Sequence, residues 1–166
     1  VEDGSSFPSI AFDSAGTLHV AYADEEHSRR LTVAKYENGS WTAVGSRGFS
    51  ANTVNETDIQ FDSADTPYVA FADFDMSAAI NYGVTVMKFD GAEWTTVGEE
   101  RFEETGDALH PEPSVVFDSE DRPYLAYLYP FEGDTSEPEI VVRKWDGSSW
   151  VVLGAPGFSD ADTGSY

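Results

Sequence analysis

Three tryptophans recur at one position of a repeated pattern. Trp41, Trp94 and Trp150 lie 53 and 56 residues apart, and each is followed four residues later by a glycine. An indole ring offers a large apolar face and one N–H donor, so such a row could stack on sugar rings. Regular placement is equally expected of rings that pack between repeated structural units, and this is the interpretation that we favour. The three tryptophans are therefore candidate glycan-stacking residues with a structural alternative.

Closely spaced aspartates form the second group that could do chemistry. Asp73 and Asp75 are two positions apart, and so are Asp160 and Asp162. Carboxylate oxygens are the ligands that Ca²⁺ prefers, but neither pair continues into the spacing and closing glutamate of an EF-hand loop. We therefore predict no cofactor, and we keep these four aspartates as candidate ligands for Ca²⁺.

Residues that usually carry hydrolytic chemistry do not form a catalytic pattern. His19, His27 and His110 lack metal-ligand spacing, and neither H-E-x-x-H nor G-x-S-x-G occurs. Glycoside hydrolysis needs only two carboxylates, and 31 Asp and Glu residues are present, so composition does not exclude it. Without a recognisable set, we predict no catalytic residues and expect that the chain is not an enzyme.

Two asparagines fit the acceptor pattern for N-linked glycosylation. Asn38 stands in N-G-S and Asn55 in N-E-T. Asn38 is also the first residue of an Asn-Gly pair, which is typical of a tight hairpin turn. Both remain candidate glycosylation sites.

The charge of the chain argues against two classes of binding partner. With 31 acidic and 9 basic residues, the net charge is −22, so nucleic acids and anionic membranes are not expected to bind. Apolar runs are only a few residues long, so we predict no membrane insertion. The absence of cysteine excludes disulfides and thiol chemistry.

The whole chain consists of three copies of one unit. Each copy has an aromatic-rich segment around F-D-S, then a Lys-aromatic segment that leads through an Asn-Gly or Asp-Gly turn to the Trp. Short alternating and β-branched runs between these turns predict four antiparallel strands per copy. A four-stranded meander that repeats about every 50 residues is typical of a β-propeller blade. We therefore predict an all-β, propeller-like chain with blade 1 at 1–53, blade 2 at 54–109 and blade 3 at 110–166.

The repeats resemble those of bacterial secreted or surface proteins. These repeats read much like F-D-S-x-G-T-x-Y-V-A-Y-x-D followed by V-x-K-Y-x-G-x-x-W-x-x-V-G-x-x-G-F-S, which residues 12–24, 33–45 and 48–50 match closely. The third copy departs from the pattern at Leu128 and Tyr129, where the other copies have Ala-Asp. The resemblance implies a propeller-like fold and an extracellular or cell-surface location, and it implies no particular activity.

Three blades are fewer than the four to eight of known propellers. Three blades leave open strand edges and an incomplete core, and exposed strand edges favour pairing with copies of the same chain or with further blades of a longer one. We therefore predict an extracellular structural, self-assembling repeat protein that forms part of a longer array, an oligomeric ring or a filament. The alternative is a lectin-like or adhesive propeller that binds glycans through the variable loops between strands 2 and 3 and between strand 4 and the next blade.

Overall fold

The computed structural model describes residues 7–75, 77, 82–106, 110–130 and 138–154. In these ranges the chain forms β-strands and one short 3-10 helix, Glu25–His27. The strands are β1 (Ser9–Phe12), β2 (Leu18–Asp24), β3 (Arg30–Glu37), β4 (Ser40–Ala43), β5 (Thr53–Phe61), β6 (Pro67–Phe74), β7 (Tyr82–Phe89), β8 (Trp94–Thr96), β9 (Glu103–Gly106), β10 (Ser114–Phe117), β11 (Pro123–Pro130), β12 (Pro138–Trp145) and β13 (Trp150–Val152). A helix of sufficient length and apolarity to span a membrane is not found among the described residues.

The strands form three antiparallel meanders in chain order. Blade 1 is β1 to β4, blade 2 is β5 to β8, and blade 3 is β10 to β13, with each strand paired to the next. The predicted fold of three four-stranded antiparallel blades is confirmed. The first strands of the blades lie side by side, because β1 and β10 both contact β5.

The turn between the first two strands of each blade is closed by its leading aspartate. The carboxylate accepts a backbone N–H four residues ahead, which satisfies a donor that the short turn leaves unpaired. The three bonds are Thr17 N to Asp13 (2.7 Å), Thr66 N to Asp62 (2.8 Å) and Arg122 N to Asp118 (3.1 Å). This repeated device fixes the register in which strands 1 and 2 pair.

Two apolar clusters lie between the blades and hold them face to face. The first cluster joins one face of blade 1 to blade 2, and the second joins the opposite face of blade 2 to blade 3. Alternation along each strand explains this arrangement, because blade 2 has a buried side chain on both faces of β6 and β7. Blade 2 is therefore the buried middle layer, and blades 1 and 3 each turn one face outward.

Blade 2 has an additional strand that the sequence does not predict. The segment from Glu99 to Glu104 aligns with loops in the other copies, but β9 pairs with β7 beside the short β8. β8 covers only Met87 to Phe89, so the rest of the β7 edge needs partners for its N–H and C=O groups. β9 supplies them opposite Tyr82 to Val84.

The limits of the three blades stay a prediction. β5 begins at Thr53 and β9 ends at Gly106, which lie close to the boundaries predicted after residues 53 and 109. Each apolar cluster of the described residues is shared by two neighbouring blades, so these blades do not have separate cores there.

Candidate functional site

Trp94 and Trp150 pack between neighbouring blades. The indole N–H of Trp94 donates to the Val44 carbonyl oxygen (2.8 Å), and that of Trp150 donates to the Val97 carbonyl oxygen (2.8 Å). Each ring also stacks on a phenylalanine of the preceding blade: Trp94 on Phe49 at 4.5 Å between centroids, and Trp150 on Phe102 at 5.7 Å. Both rings are nearly buried. Their contacts fit the packing interpretation.

Trp41 occupies the same repeat position but lies on the outer face of blade 1. Its side chain is 51% exposed, against 8% for Trp94, and its ring contacts Tyr36 of the same blade at 5.2 Å. The difference follows from position in the chain, because no blade among the described residues precedes blade 1. Trp41 is therefore the one of the three predicted tryptophans with a broadly accessible ring.

Glycines make room for the rings between the blades. A Cβ atom on Gly45 would lie 2.9 Å from Phe89 Cε2 and 3.1 Å from Trp94 Cδ1. A Cβ on Gly98 would lie 3.0 Å from Trp145 and 3.2 Å from Trp150. Both glycines also have positive φ, +75° and +91°, which side chains rarely adopt. Each glycine is thus required both by the backbone and by the neighbouring blade.

A cleft with a volume of about 270 Å³ opens between blades 2 and 3 beside Gly98. Its apolar wall is formed by Trp145, which is partly exposed, together with the edges of Phe102 and Trp150. Its polar lining is Glu99, Arg143, Ser148 and Ser149. An aromatic face surrounded by a few convergent polar groups is the usual composition of a small-molecule site.

A partly buried polar network holds Arg143 in position at this cleft. Its Nε donates to the Tyr127 hydroxyl (2.6 Å), its Nη1 donates to the Trp150 carbonyl oxygen (2.9 Å), and its Nη2 pairs with Glu103. Tyr127 also donates to Glu103 (3.0 Å). Burial raises the pKa of the Tyr127 hydroxyl far above its ordinary value, so it remains neutral. The network fixes the guanidinium and connects β9, β11 and β12.

A related cleft of about 340 Å³ lies between blades 1 and 2. Gly45 and Phe89 line it at the repeat positions of Gly98 and Trp145. Its polar lining differs and is formed by Asp13, His19, Lys35 and Asp65. Gly45 and Phe89 are the only lining residues of this cleft whose repeat positions also line the cleft between blades 2 and 3, so the two clefts lie at different places along their blade interfaces.

The predicted variable-loop face is only partly described. The loops between strands 2 and 3 of blades 2 and 3 lie largely outside the described residues, at 76, 78–81 and 131–137. A third cleft of about 230 Å³ lies on this face, and Arg30, Asn52, Phe74 and Asp75 are among its lining residues. Ser77 already donates to Asp75 there, through both its N–H (2.9 Å) and its hydroxyl (2.7 Å).

Among the described residues, neither Asp73 nor Asp75 belongs to a group of three or more side chains that could hold a metal ion. Asp73 is buried and accepts hydrogen bonds from Asn52 Nδ2 (2.9 Å) and Thr85 Oγ1 (3.1 Å), with Arg101 3.7 Å away. Burial raises the pKa of Asp73, and these donors oppose that rise. Asp75 closes the turn at Ser77, as described above. Asp160 and Asp162 lie outside the described residues, so calcium binding stays a prediction.

A group that sequence spacing does not reveal is formed by Asp24, Glu26 and His27, whose potential ligand atoms lie within 4.8 Å of one another. Arg47 already pairs with this group. It donates to both carboxylate oxygens of Asp24 (2.8 and 2.9 Å), and its Nη1 lies 2.9 Å from Glu26. Arg47 therefore supplies a positive charge that balances the two carboxylates of this group.

The pair of Asp24 and Arg47 gives the chain a pH-dependent contribution to stability. Burial raises the pKa of Asp24, but the hydrogen bonds from Arg47 and Thr32 outweigh this and lower it to about 2. The ionised carboxylate therefore stabilises the fold above the ordinary pKa of Asp, about 3.9, and this contribution is lost as the pH falls toward the folded pKa.

Asp24→Asn is expected to lower the free energy of unfolding by about 2 kcal/mol at neutral pH, because it removes the buried carboxylate that accepts from Thr32 and Arg47 and leaves Arg47 only the exposed Glu26 as a charged partner. The difference between wild type and variant should shrink as the pH is lowered from about 5 to about 2. Urea denaturation at a series of pH values measures it. A difference that stays constant over this range would contradict the assignment.

The two predicted glycosylation sites lie in different surroundings. Asn38 is exposed in the turn between β3 and β4, where its φ of 52° and that of Gly39, 81°, form the predicted tight hairpin. Asn55 lies at a bulge of β5, where its amide donates to the Tyr82 hydroxyl (3.0 Å) and accepts from Arg29 (3.2 Å). Glycosylation at either residue stays a prediction.

Serine–aspartate clamps between blades are a further feature that the sequence analysis misses. Asp65 accepts hydrogen bonds from the Ser14 N–H (2.7 Å) and hydroxyl (2.5 Å) of the preceding blade. Asp121 accepts the same pair from Ser63, at 2.9 and 2.5 Å. The signal in the sequence is a repeat position that holds Gly16 in blade 1 and aspartate in blades 2 and 3.

Comparisons with known proteins place this architecture among propellers. No family model and no curated protein matches the chain. A fucose lectin from Kordia zhangzhouensis in complex with methyl-fucoside matches with 12% identity and a TM-score of 0.57, over 90% of this chain and 99% of the lectin chain. An α-L-arabinanase of Penicillium chrysogenum complexed with arabinobiose matches with 12% identity and a TM-score of 0.67, over 96% of this chain and 52% of that one. A GH93 α-L-arabinofuranosidase of Fusarium graminearum matches with 16% identity and a TM-score of 0.65, over 89% and 47%.

These similarities show the fold. The chain spans about half the length of the two hydrolases and nearly the whole of the lectin. The sequence-based prediction excluded enzymatic activity. That exclusion is wrong, because several solved structures that share the fold are glycoside hydrolases. The lack of a familiar catalytic motif does not exclude this chemistry, since glycosidases assemble two carboxylates that need not lie in any fixed sequence pattern.

Proposed function

We propose that the chain binds glycans in the clefts between neighbouring blades. The observation that carries the proposal is the cleft between blades 2 and 3, which is lined by Trp145 together with Glu99, Arg143, Ser148 and Ser149. The two serine hydroxyls donate to Asp146, which leaves their oxygens as acceptors for a ligand. Sugar rings combine apolar C–H faces with hydroxyl groups, so an aromatic wall and a few convergent polar groups suit them.

The cleft is built from groups that are already positioned. Arg143 is fixed by Tyr127, Glu103 and the Trp150 carbonyl, and the Trp150 ring is fixed on Phe102. Fixed groups lose little conformational entropy when a ligand arrives. Glu99 is exposed at the rim and is available to accept hydrogen bonds from sugar hydroxyls. The net charge of −22 disfavours acidic sugars, so we propose neutral glycans as the ligand class.

The cleft between blades 1 and 2 is a second candidate site. It also has an aromatic residue, Phe89, at the position of Trp145, but its other lining residues, apart from Gly45, come from different repeat positions, so its ligand preference is expected to differ. Two weak sites that engage one branched or repetitive glycan gain affinity through effective concentration. The fucose lectin of nearly the same chain length supports this proposal, because its fold also accommodates a sugar.

Replacing Trp145 with alanine is expected to weaken sugar binding at least tenfold, because the stacking surface is lost. Glu99→Gln should weaken it about tenfold through loss of a charge-assisted hydrogen bond. Isothermal titration with methyl-fucoside and with arabinobiose measures both effects, and a thermal melt checks that each variant is folded.

Trp41→Ala is the matched control, since Trp41 is exposed and does not line this cleft. Equal losses for Trp41→Ala and Trp145→Ala would contradict the assigned site. Absence of binding to either sugar and to a neutral glycan array would contradict the function. The same samples are monitored for free arabinose, and its release would make cleavage rather than binding the function of the cleft.

Self-association is the second part of the proposal. It is favoured by the outward apolar faces of blades 1 and 3, on which Ile10, Phe12, Trp41 and Val116 are all more than half exposed. Exposed apolar faces on an otherwise highly charged protein are typical of surfaces that bind another protein surface. An extracellular or cell-surface location remains part of the proposal and rests on the resemblance of the repeats.

A further inference from the structure

Three apolar residues on the exposed outer face of blade 1 recur at the same repeat positions in blade 2, where the corresponding face packs against blade 1. Ile10 and Phe12 are 65% and 64% exposed, and they align with Ile59 and Phe61 of blade 2, which pack against blade 1. Trp41 aligns with Trp94 in the same way. Blade 1 therefore presents the apolar part of an inter-blade surface, and no preceding blade covers it among the described residues.

The outer face of blade 3 has the complementary surface. In each blade, the residue that receives the next Trp is anchored to strand 3 by its own N–H: Val44 N donates to Val33 O, and Val97 N donates to Val86 O. Leu153 N donates to Val142 O at 2.8 Å, so its carbonyl stands where a following indole N–H would bond. Leu153, like Val116, is exposed.

We propose that blade 1 of one copy docks on blade 3 of a second copy, so that two chains close a ring of six blades. The new interface repeats the two internal ones, with the Trp41 indole N–H donating to the Leu153 carbonyl of the other copy. Six blades lie within the range of closed propellers, and two copies related by a two-fold axis would make this contact twice. The inference deepens the self-association part of the proposed function and rests on it.

One element of the internal interfaces is missing from this contact. Asp65 clamps Ser14 and Asp121 clamps Ser63, so the clamp on Ser119 would have to come from position 16 of the second copy. That position holds glycine, with a φ of 78° close to the 60° and 58° of Asp65 and Asp121. A Cβ on Gly16 would meet nothing within 4 Å. The ring is therefore weakest where the two copies meet, and the missing carboxylate can be added.

Gly16→Asp is expected to lower the dissociation constant of the dimer at least about tenfold relative to Gly16→Ala. Both variants place a side chain at the same positive φ, but only aspartate can accept hydrogen bonds from the Ser119 N–H and hydroxyl. Adding Ser119→Ala to Gly16→Asp should remove a large part of the gain. Trp41→Ala should raise the dissociation constant at least tenfold.

Sedimentation equilibrium over a wide concentration range measures these constants, at high salt because chains of charge −22 repel each other. A reversible species of twice 18.1 kDa that Gly16→Asp strengthens supports the proposal. A monomer at every concentration would overturn it and assign the faces to further blades of the same chain. A mass that rises without limit would overturn the closed ring.

A dimer that Gly16→Asp strengthens no more than Gly16→Ala would overturn the placement of blade 1 on blade 3. Titration of methyl-fucoside into dilute monomer is run in parallel, because the cleft between blades 2 and 3 lies within one chain. Sugar binding without dimerisation would refute the inference and leave the glycan proposal intact, and dimerisation without sugar binding would do the reverse.

Discussion

We expect Trp94→Ala to lower the free energy of unfolding by about 4 kcal/mol and Trp41→Ala to lower it by about 1 kcal/mol or less. The two residues share a repeat position, but Trp94 is 8% exposed, stacks on Phe49 and donates to Val44. Truncating it leaves a cavity between blades 1 and 2 and an unpaired carbonyl. Trp41 has half of its surface in solvent.

Denaturant unfolding, followed by circular dichroism at concentrations where the chain is monomeric, compares the two variants. The pair controls for residue type and for strand position, so only the presence of a neighbouring blade differs. Similar losses at both positions would show that these rings stabilise their own blade rather than the interface, and the described packing of the blades would be wrong.

The substitution Gly45→Ala is expected to lower the free energy of unfolding by about 3 kcal/mol. Part of the loss comes from the positive φ of 75°, and the rest comes from the approach of the new Cβ to Phe89 and Trp94 at 2.9 and 3.1 Å. Close packing of aromatic carbons leaves little room for either ring to move.

Gly154→Ala is the matched control for this change. Gly154 aligns with Gly45, has a φ of 74°, and its Cβ would meet no atom of the described residues within 4 Å. We expect a loss of about 1 kcal/mol there, from backbone strain alone. Differential scanning calorimetry of the two variants measures the difference, and equal melting temperatures would show that the inter-blade contact at Gly45 is not tight.

The architecture could be predicted because its signals are local and repeat three times. Asp13, Asp62 and Asp118 mark turns through bonds within four residues, and the Asn38–Gly39 pair has the backbone conformation that a tight hairpin requires. Alternating side chains then define which face of each strand is buried. None of these inferences needs knowledge of what lies across an interface.

The clefts and clamps could not be predicted, because their residues come from different blades. Asp65 resembles an ordinary turn residue until Ser14, 51 positions away, is placed beside it. Trp145 resembles a generic aromatic position until Gly98 and Glu99 are found across the cleft. β9 was missed for a related reason, since the need for it arises from the short length of β8 rather than from its own residues.

The short outermost strands limit the ways in which copies of this chain can meet. β4 has four residues, and β8 and β13 have three each, so each outermost strand offers only a short row of backbone groups to a new strand. Fibril growth by strand addition needs a long, flat edge. The outermost strands therefore disfavour edge-to-edge addition, whereas the two outward apolar faces favour the stacking of one sheet on another.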